Sequence, residues 1–377
     1  MRGRIGCALT VLQSPVRSRF WVRILRSLPA GGVGGGDLIL GRAFGRAIDR
    51  VTGVPAGASG SPVWVSGKLI GAISAVIGDD NRLVGITPLQ AMLALKREPE
   101  TGMSAPDAKE LELSQHHPMI VACSGFSATR VVAEIESRYA TRVYGAAPAA
   151  SRSPQKTKLQ PGGPIGAALL SGDLQFGFIG TITLVREPYV FAFGHPLLYA
   201  GSTQYPMTTA DILDTARGFF PTKVGVLGDT VGTIVQDRGA GTLGRLSQVP
   251  QGLVALTLTV TDTDRQSQIT VRAQAVPIPG ELPFLVYIAA LETITRAMNR
   301  VGQGLGRWQW VVNVADMLEP IILSEEQYDT ASIAFVMAYS VVGMIAEPLS
   351  MGLGITSVQL EATVALAVPS SVAAAAP

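Results

Sequence analysis

The hexapeptide GASGSP, residues 57–62, carries the residue types that nucleophilic chemistry by serine requires. A serine hydroxyl is a poor nucleophile at neutral pH, so it needs a base within hydrogen-bond reach and donors for the developing oxyanion. Gly57 stands two positions before Ser59 and Gly60 directly follows it, so the backbone can turn sharply and aim two N–H groups into one space. The alternative is a glycine turn between two strands, in which Ser59 and Ser61 form only local hydrogen bonds.

The chain offers only three histidines as the base that Ser59 would need. His116 and His117 stand together in the polar segment SQHHP, which predicts exposure to solvent. His195 lies in YVFAFGHPLLYAG, where an apolar strand ends in a glycine–proline turn. That position suits a general base at the rim of a barrel, although a core or capping histidine bonded to a carbonyl would fit the pattern too. We predict that Ser59 and His195 act as a pair.

Three motifs resemble those of the SpoIVB-type serine peptidases, family 55 of serine peptidases. Residues 57–62 are similar to its G-M-S-G-S-P motif, with alanine in place of methionine. GKLIGA at 67–72 is similar to its G-K-x-I-G-A strand pair, and Gly194 with His195 is similar to its G-H motif. The similarity extends over roughly residues 1 to 275 and is carried by the serine and histidine motifs together.

The resemblance implies a serine endopeptidase with a chymotrypsin-like double β-barrel, acting on a restricted peptide or protein substrate. Ser59 would be the nucleophile and His195 the base, and the N–H groups of Gly57 and Ser59 would form the oxyanion hole. The serine motif precedes the histidine motif here, which reverses the order of the sporulation enzyme. A triad is defined by geometry rather than by order, so two rearranged halves can still bring the pair together.

The third member of a triad is not fixed by the sequence. The sporulation enzyme has an aspartate shortly before its serine, but the corresponding place falls near Phe44, and Asp49 does not match it. Asp211 and Asp237 follow the histidine and are the candidates. A Ser–His dyad, with the imidazole of His195 held by a backbone carbonyl, is an equal alternative.

Short apolar runs bounded by Gly, Pro, Asn or Asp predict a mainly β chain. Residues 1–100 form a predicted β-rich unit with the serine motif, and residues 166–280 a second one with the histidine motif. Residues 101–165 predict a linker with a helix and a Pro/Ala/basic stretch. Residues 281–377 predict an α+β module whose role the sequence does not give.

Composition excludes several other classes of protein. Hydrophobic residues make up 47% and mean hydropathy is +0.33, yet the longest apolar run, 333–346, is shorter than the about 20 residues that a membrane span needs. The run therefore predicts a buried helix and no transmembrane span. A net charge of +2 without a basic block gives no case for nucleic acid. The N-terminus lacks a long apolar region, so an exported or cell-envelope protein is expected only if the N-terminus is incomplete.

The two cysteines, Cys7 and Cys123, form no zinc signature, so neither a metal nor another cofactor is expected. A single disulfide between them is possible. Two functions remain after these exclusions, beside a purely structural β protein without a ligand. The paired motifs favour a serine endopeptidase, whereas the missing acid and Ala58 favour a binding or scaffold protein of the cell envelope that keeps the barrel without turnover. The oligomeric state is not predicted.

Overall fold

A computed structural model describes residues 2–99, 115–116, 120–139 and 158–366 of the chain. The fold is mainly β. The chain divides into two compact units. The first comprises Met1–Ser124, Thr141–Ala168 and Phe176–Pro250, and the second comprises Gly125–Ala140, Leu169–Gln175 and Gln251–Pro377.

A ring of six antiparallel strands begins the first unit. Its members are β1 (Ile5–Gln13), β2 (Val16–Leu28), β3 (Leu38–Phe44), β4 (Pro62–Val65), β5 (Lys68–Ile77) and β6 (Asp80–Pro88). They pair in the order β1-β2-β3-β6-β5-β4, and β4 pairs back with β1, which closes the ring. Side chains alternate along β2, so Phe20, Val22 and Ile24 point into the core while Arg23 faces outward.

Two short helices and one short strand accompany this ring. Helix α1 (Arg46–Arg50) precedes the serine motif, and α2 (Leu89–Ala94) follows β6. Strand β7 (Gln115–His116) pairs with β5, where His116 lies opposite Val76. His117 and most of the predicted linker at 101–165 lie outside the described residues.

A second closed ring contains the histidine motif. Its strands are β9 (Pro164–Gly172), β10 (Gln175–Arg186), β11 (Tyr189–Ala192), β12 (Gly201–Ala216), β13 (Thr222–Arg238) and β14 (Gly241–Leu246), and β8 (Ile120–Ser124) lies beside β10. The order is β9-β12-β13-β14-β11-β10, and β10 pairs back with β9. Strand β9 belongs to the first unit up to Ala168, and its later residues pair with β16 (Ser267–Ala275) in the second unit.

In the second unit, helices pack on a mixed sheet with antiparallel and parallel strand pairs. Its strands beyond β16 are β15 (Val254–Asp262), β17 (Gly304–Val314), β18 (Ile321–Asp329) and β19 (Ile355–Ala365), and its helices are α3 (Thr129–Tyr139), α4 (Leu282–Met298), α5 (Ile333–Tyr339) and α6 (Val341–Ser350). Helix α4 is buried on nearly all sides, as expected for a core helix. The buried carboxylate of Glu292 on α4 accepts the N–H groups of Ser127 and Ala128 just before α3 begins.

The apolar run predicted as one buried helix at 333–346 forms two helices that meet at Ser340. The Ser340 hydroxyl accepts the indole N–H groups of Trp308 and Trp310 at 3.0 Å each, which fixes the junction. The stretch is buried on one face only, and Tyr339 is 57% exposed. Ile333–Ser350 is the one stretch in the described part of the chain that is long and apolar enough to cross a membrane, with a mean hydropathy of 1.6, and such a single stretch is weak support for a span.

Both cysteines are free, so the disulfide that the sequence allows is not formed. Cys7 is half-buried on β1 and Cys123 is buried on β8. Burial raises the pKa of the Cys123 thiol to about 12. Cohesion in the first unit therefore comes from the two strand rings and their cores rather than from a covalent cross-link.

Candidate active site

The GASGSP turn packs backbone against backbone on the second ring. Gly60 has a φ of +89°, which a side chain rarely adopts, and a Cβ there would lie 1.9 Å from the Thr181 carbonyl oxygen and 2.6 Å from the Phe193 amide nitrogen. Only glycine fits at this point. The close approach brings the residue after Ser59 against β10 and against the residue that follows β11.

Hydrogen bonds fix the same turn on both sides. The Thr181 N–H donates to the Ser59 carbonyl at 2.8 Å, and the Thr183 hydroxyl donates to the Gly60 carbonyl at 2.8 Å. The Gly60 N–H donates to the Ile73 carbonyl on β5 at 2.7 Å. The turn is thus held by β5 of its own ring and by β10 of the other.

The two serines of the motif have different surroundings. The Ser61 hydroxyl donates to the Ala58 carbonyl at 2.5 Å, which is a local turn contact. The Ser59 hydroxyl is also fully buried, but it has no hydrogen-bond partner among the residues that the structure describes. An unmade hydrogen bond at a buried hydroxyl costs about 1–3 kcal/mol, so such a group needs a reason to be kept.

Backbone N–H groups along the turn alternate between bonded and unbonded. Those of Ala56, Ala58 and Gly60 donate to carbonyls at 2.8, 3.0 and 2.7 Å. Those of Gly57 and Ser59, both buried residues, find no acceptor within the described ranges of the chain. Two N–H groups without an acceptor in the described part of the chain, at the serine and two positions before it, are the kind of donors that binding of an oxyanion requires.

His195 follows β11 through two residues in the left-handed region. Phe193 has a φ of 64° and Gly194 a φ of 75°. The Gly194 carbonyl accepts a hydrogen bond from the hydroxyl of Thr87 on β6 at 2.6 Å. The first ring therefore also holds the histidine turn in place. The His195 side chain is fully buried, with its ring edge-to-face against the Phe193 ring.

The imidazole of His195 has a defined proton arrangement at one nitrogen. Its Nδ1 lies 2.7 Å from the carbonyl oxygen of Pro196. Because a carbonyl can only accept, Nδ1 carries the hydrogen in this contact, and Nε2 of the neutral ring is then the basic nitrogen. A backbone carbonyl therefore bonds the imidazole nitrogen that a carboxylate would bond in a triad, and the Ser59 hydroxyl is not hydrogen-bonded to the ring.

The two acid candidates occupy different positions. Asp237 is fully buried on β13, and its carboxylate accepts the N–H groups of Leu197 at 2.7 Å and Leu198 at 2.8 Å. Burial raises the pKa of Asp237, and these backbone donors oppose the rise. Asp211 lies on β12 opposite Val226. Asp237 thus shapes the turn after His195, and Asp211 makes no side-chain hydrogen bond to any residue in the described part.

Lys223 is a buried cation that the sequence reasoning missed. It is fully buried on β13, and its Nζ donates to the Gly57 carbonyl and to the Thr10 hydroxyl at 2.8 Å each, with Thr181 Oγ1 at 3.4 Å. Burial lowers the pKa of its ammonium to about 7. The available signal was the alternation along β13, which puts Lys223 on the inward face with Gly225 and Leu227.

A short parallel bridge explains how Lys223 reaches the serine turn. Ala56 pairs with Thr222 in an isolated parallel bridge, and the Lys223 N–H donates to the Ala56 carbonyl at 3.2 Å. The start of β13 therefore runs along residues 55–57.

No group of three or more His, Cys, Asp or Glu side chains that could hold a metal ion is present among the described residues.

Comparison with known proteins gave no relative of this chain. No family model matches it, and neither the curated proteins nor the solved structures contain a significant match.

Proposed function

We propose that the chain is a serine peptidase of the SpoIVB type in which Ser59 and His195 form a nucleophile–base dyad. One observation carries the proposal. The serine turn and the histidine turn, which come from different strand rings, pack together at Gly60, and two N–H donors and the Ser59 hydroxyl in the serine turn have no partner among the described residues.

The fold proposed with this activity is a chymotrypsin-like double β-barrel with the order of its halves rearranged. Two closed rings of six antiparallel strands support it. The serine comes from the first ring and the histidine from the second. In this interpretation the second unit, which includes residues 281–377, is an accessory part outside the chemistry.

The reaction follows from the residues in the site. His195 Nε2 takes the proton of the Ser59 hydroxyl as Oγ attacks the carbonyl carbon of a peptide. The Gly57 and Ser59 N–H groups stabilise the negative oxygen of the tetrahedral intermediate. His195 returns the proton to the leaving amine, and water then releases the acyl group from Ser59. The Pro196 carbonyl keeps the imidazole in the required tautomer.

Covalent labelling of the serine tests the proposal. A fluorophosphonate probe should modify the wild-type protein at Ser59, and Ser59→Ala and His195→Ala should both abolish the label. Ser61→Ala is the matched control in the same turn, because the Ser61 hydroxyl donates to the Ala58 carbonyl within that turn. Peptide mapping should find the adduct on Ser59. Equal labelling of wild type and Ser59→Ala would refute the assignment.

A binding or scaffold protein of the cell envelope is the second candidate function. The observation that favours it is burial, because Ser59 and His195 both have 0% exposure and no substrate reaches them as they stand. This candidate predicts a wild-type protein that resists both autolysis and fluorophosphonate labelling under several conditions. Peptide or protein would then bind without being cleaved.

A further inference from the structure

Lys223 lies behind the oxyanion-binding turn rather than beside the proposed base. Its Nζ bonds to the carbonyl oxygen of Gly57, the residue whose N–H would bind the oxyanion. The Thr181 hydroxyl donates to the same carbonyl at 2.9 Å. Two donors therefore fix the orientation of this carbonyl.

The orientation of one carbonyl decides whether the turn can stabilise an oxyanion. Rotation of the peptide that follows Gly57 would turn its carbonyl oxygen toward the space that the negative oxygen must occupy. Gly57 has a φ of +83° and no Cβ, so its own backbone offers little resistance to such a rotation. Resistance comes instead from the hydrogen bonds of this peptide: Lys223 and Thr181 donate to its carbonyl, and its Ala58 N–H donates to the Pro55 carbonyl at 3.0 Å.

The groups that contact the Lys223 ammonium in the described part of the chain are neutral. The groups that contact Nζ come from β1, from the serine turn and from β10, and they are two hydroxyls and a carbonyl, none of which titrates near neutral pH. No carboxylate hydrogen-bonds to Nζ in the described part of the chain. A buried charge without a partner of opposite charge lowers the stability of the fold, and such groups cluster at functional sites.

We propose that Lys223 is the positioning residue of the oxyanion site, where its ammonium fixes the Gly57 carbonyl and stabilises, through its charge and without contact, the negative charge that develops on the substrate. The inference rests on the proposed function. It deepens that function by adding a residue that acts through the Gly57 peptide and does not touch the substrate. The lysine would stabilise the transition state more than the bound substrate, because the negative charge exists only there.

The test compares rates of fluorophosphonate labelling in Lys223→Met and wild type over a range of probe concentrations and pH values. We expect the maximal labelling rate to fall about tenfold to a hundredfold, with the half-saturating probe concentration unchanged. The wild-type rate should decline as pH rises through the titration of Lys223, and this alkaline decline should be missing in Lys223→Met. Lys68→Met makes the same substitution at an exposed site on β5 and should behave as wild type.

A second variant keeps the test decisive if Lys223→Met does not fold. Thr10→Val leaves the lysine in place but removes one acceptor of its charged form, so the alkaline decline should move to lower pH. A Lys223→Met protein that labels at the wild-type rate, or a decline that stays in place in Thr10→Val, overturns the inference while Ser59 labelling still supports the dyad. A wild type that does not label at all overturns the dyad, and the inference falls with it.

Discussion

The carboxylate of Asp237 accepts a hydrogen bond from the backbone N–H of Leu197, which lies two residues after His195, at 2.7 Å. Its other oxygen accepts the N–H of Leu198 at 2.8 Å and the hydroxyl of Tyr205 at 3.2 Å. An acid that follows the histidine in sequence therefore fixes the backbone that leads away from it. This makes Asp237 a positioning residue for the histidine turn.

Asp237→Asn should weaken both the fold and the site. An amide keeps one acceptor oxygen but turns an NH₂ group toward backbone donors, so at least one buried N–H loses its partner. We expect the free energy of unfolding to fall by about 1–3 kcal/mol, with slower labelling of Ser59. Thermal unfolding and labelling rates measure the two effects.

Asp211→Asn is the matched control for this substitution, since Asp211 was the other acid candidate and its side chain bonds to no described residue. It should change stability by less than about 0.5 kcal/mol and leave labelling unchanged. A larger loss in Asp211→Asn than in Asp237→Asn would reverse this assignment of roles.

Lys223→Met should alter stability in a pH-dependent way. The unfolded chain keeps the lysine proton up to pH near 10.5, whereas the folded chain loses it near pH 7. Between these values the unfolded state binds more protons, so the contribution of Lys223 to stability becomes less unfavourable as pH rises. At and below about pH 7 its full cost, on the order of a few kcal/mol, is present.

We therefore expect Lys223→Met to be at least as stable as wild type at pH 6, and this advantage to shrink toward pH 10. Urea unfolding of both proteins at pH 6, 8 and 9.5 measures the difference. Met fills the volume of the lysine stem without burying a charge. A stability difference that is constant across this range would show that the lysine does not titrate in the folded protein.

Gly60→Ala should disrupt the contact between the two turns. The new Cβ would lie 1.9 Å from the Thr181 carbonyl oxygen, and a backbone atom on a strand cannot move aside cheaply. We expect a loss of more than about 3 kcal/mol of stability, or insoluble protein, and no labelling of Ser59.

Gly67→Ala separates the clash from the backbone conformation. Gly67 also has a positive φ, +76°, but a Cβ there meets nothing within 4 Å. Its cost should be only about 1 kcal/mol, from the left-handed conformation alone. Similar melting temperatures for the two alanine variants would contradict the packing described at Gly60.

The two cysteines should differ in reactivity toward iodoacetamide. Burial raises the pKa of Cys123 to about 12, so almost no thiolate is present there at pH 8, and the side chain is also inaccessible. Cys7 is only half-buried and should be alkylated first in the native protein. Peptide mass mapping before and after denaturation checks this, and equal native alkylation would argue against the position of β8.

Local sequence patterns predicted the strands of the first ring well. KLIGAISAVI, bounded by glycine and by Gly-Asp-Asp, predicted β5 with the bounds that it has in the structure. The end of α4 at Met298 was not predicted, and it follows from Asn299, whose φ of 49° is left-handed and ends the helix. The glycine–proline signals around His195 likewise marked a turn that exists.

The contacts of the site were harder to predict because they join distant segments. Lys223 bonds to Thr10, 213 positions away, and no local pattern relates the two. The packing of Gly60 on Thr181 depends on the register of two different strand rings. The sequence left triad and dyad open for a different reason, because the carbonyl beside His195 Nδ1 belongs to the adjacent Pro196 and its position depends on the conformation of the turn rather than on residue type.

The complete burial of Ser59 and His195 has a kinetic meaning. A residue with 0% exposure reacts only in molecules whose surrounding chain has opened, so the observed rate is the intrinsic rate multiplied by the open fraction. Each tenfold decrease in that fraction weakens apparent substrate affinity tenfold. In the proposed enzyme, a partner that binds the open form more tightly than the closed form, by a few kcal/mol, would raise turnover by orders of magnitude. It would do so without changing any reacting group. Latency would then be the resting condition of the protein, and abundance alone would not set its activity.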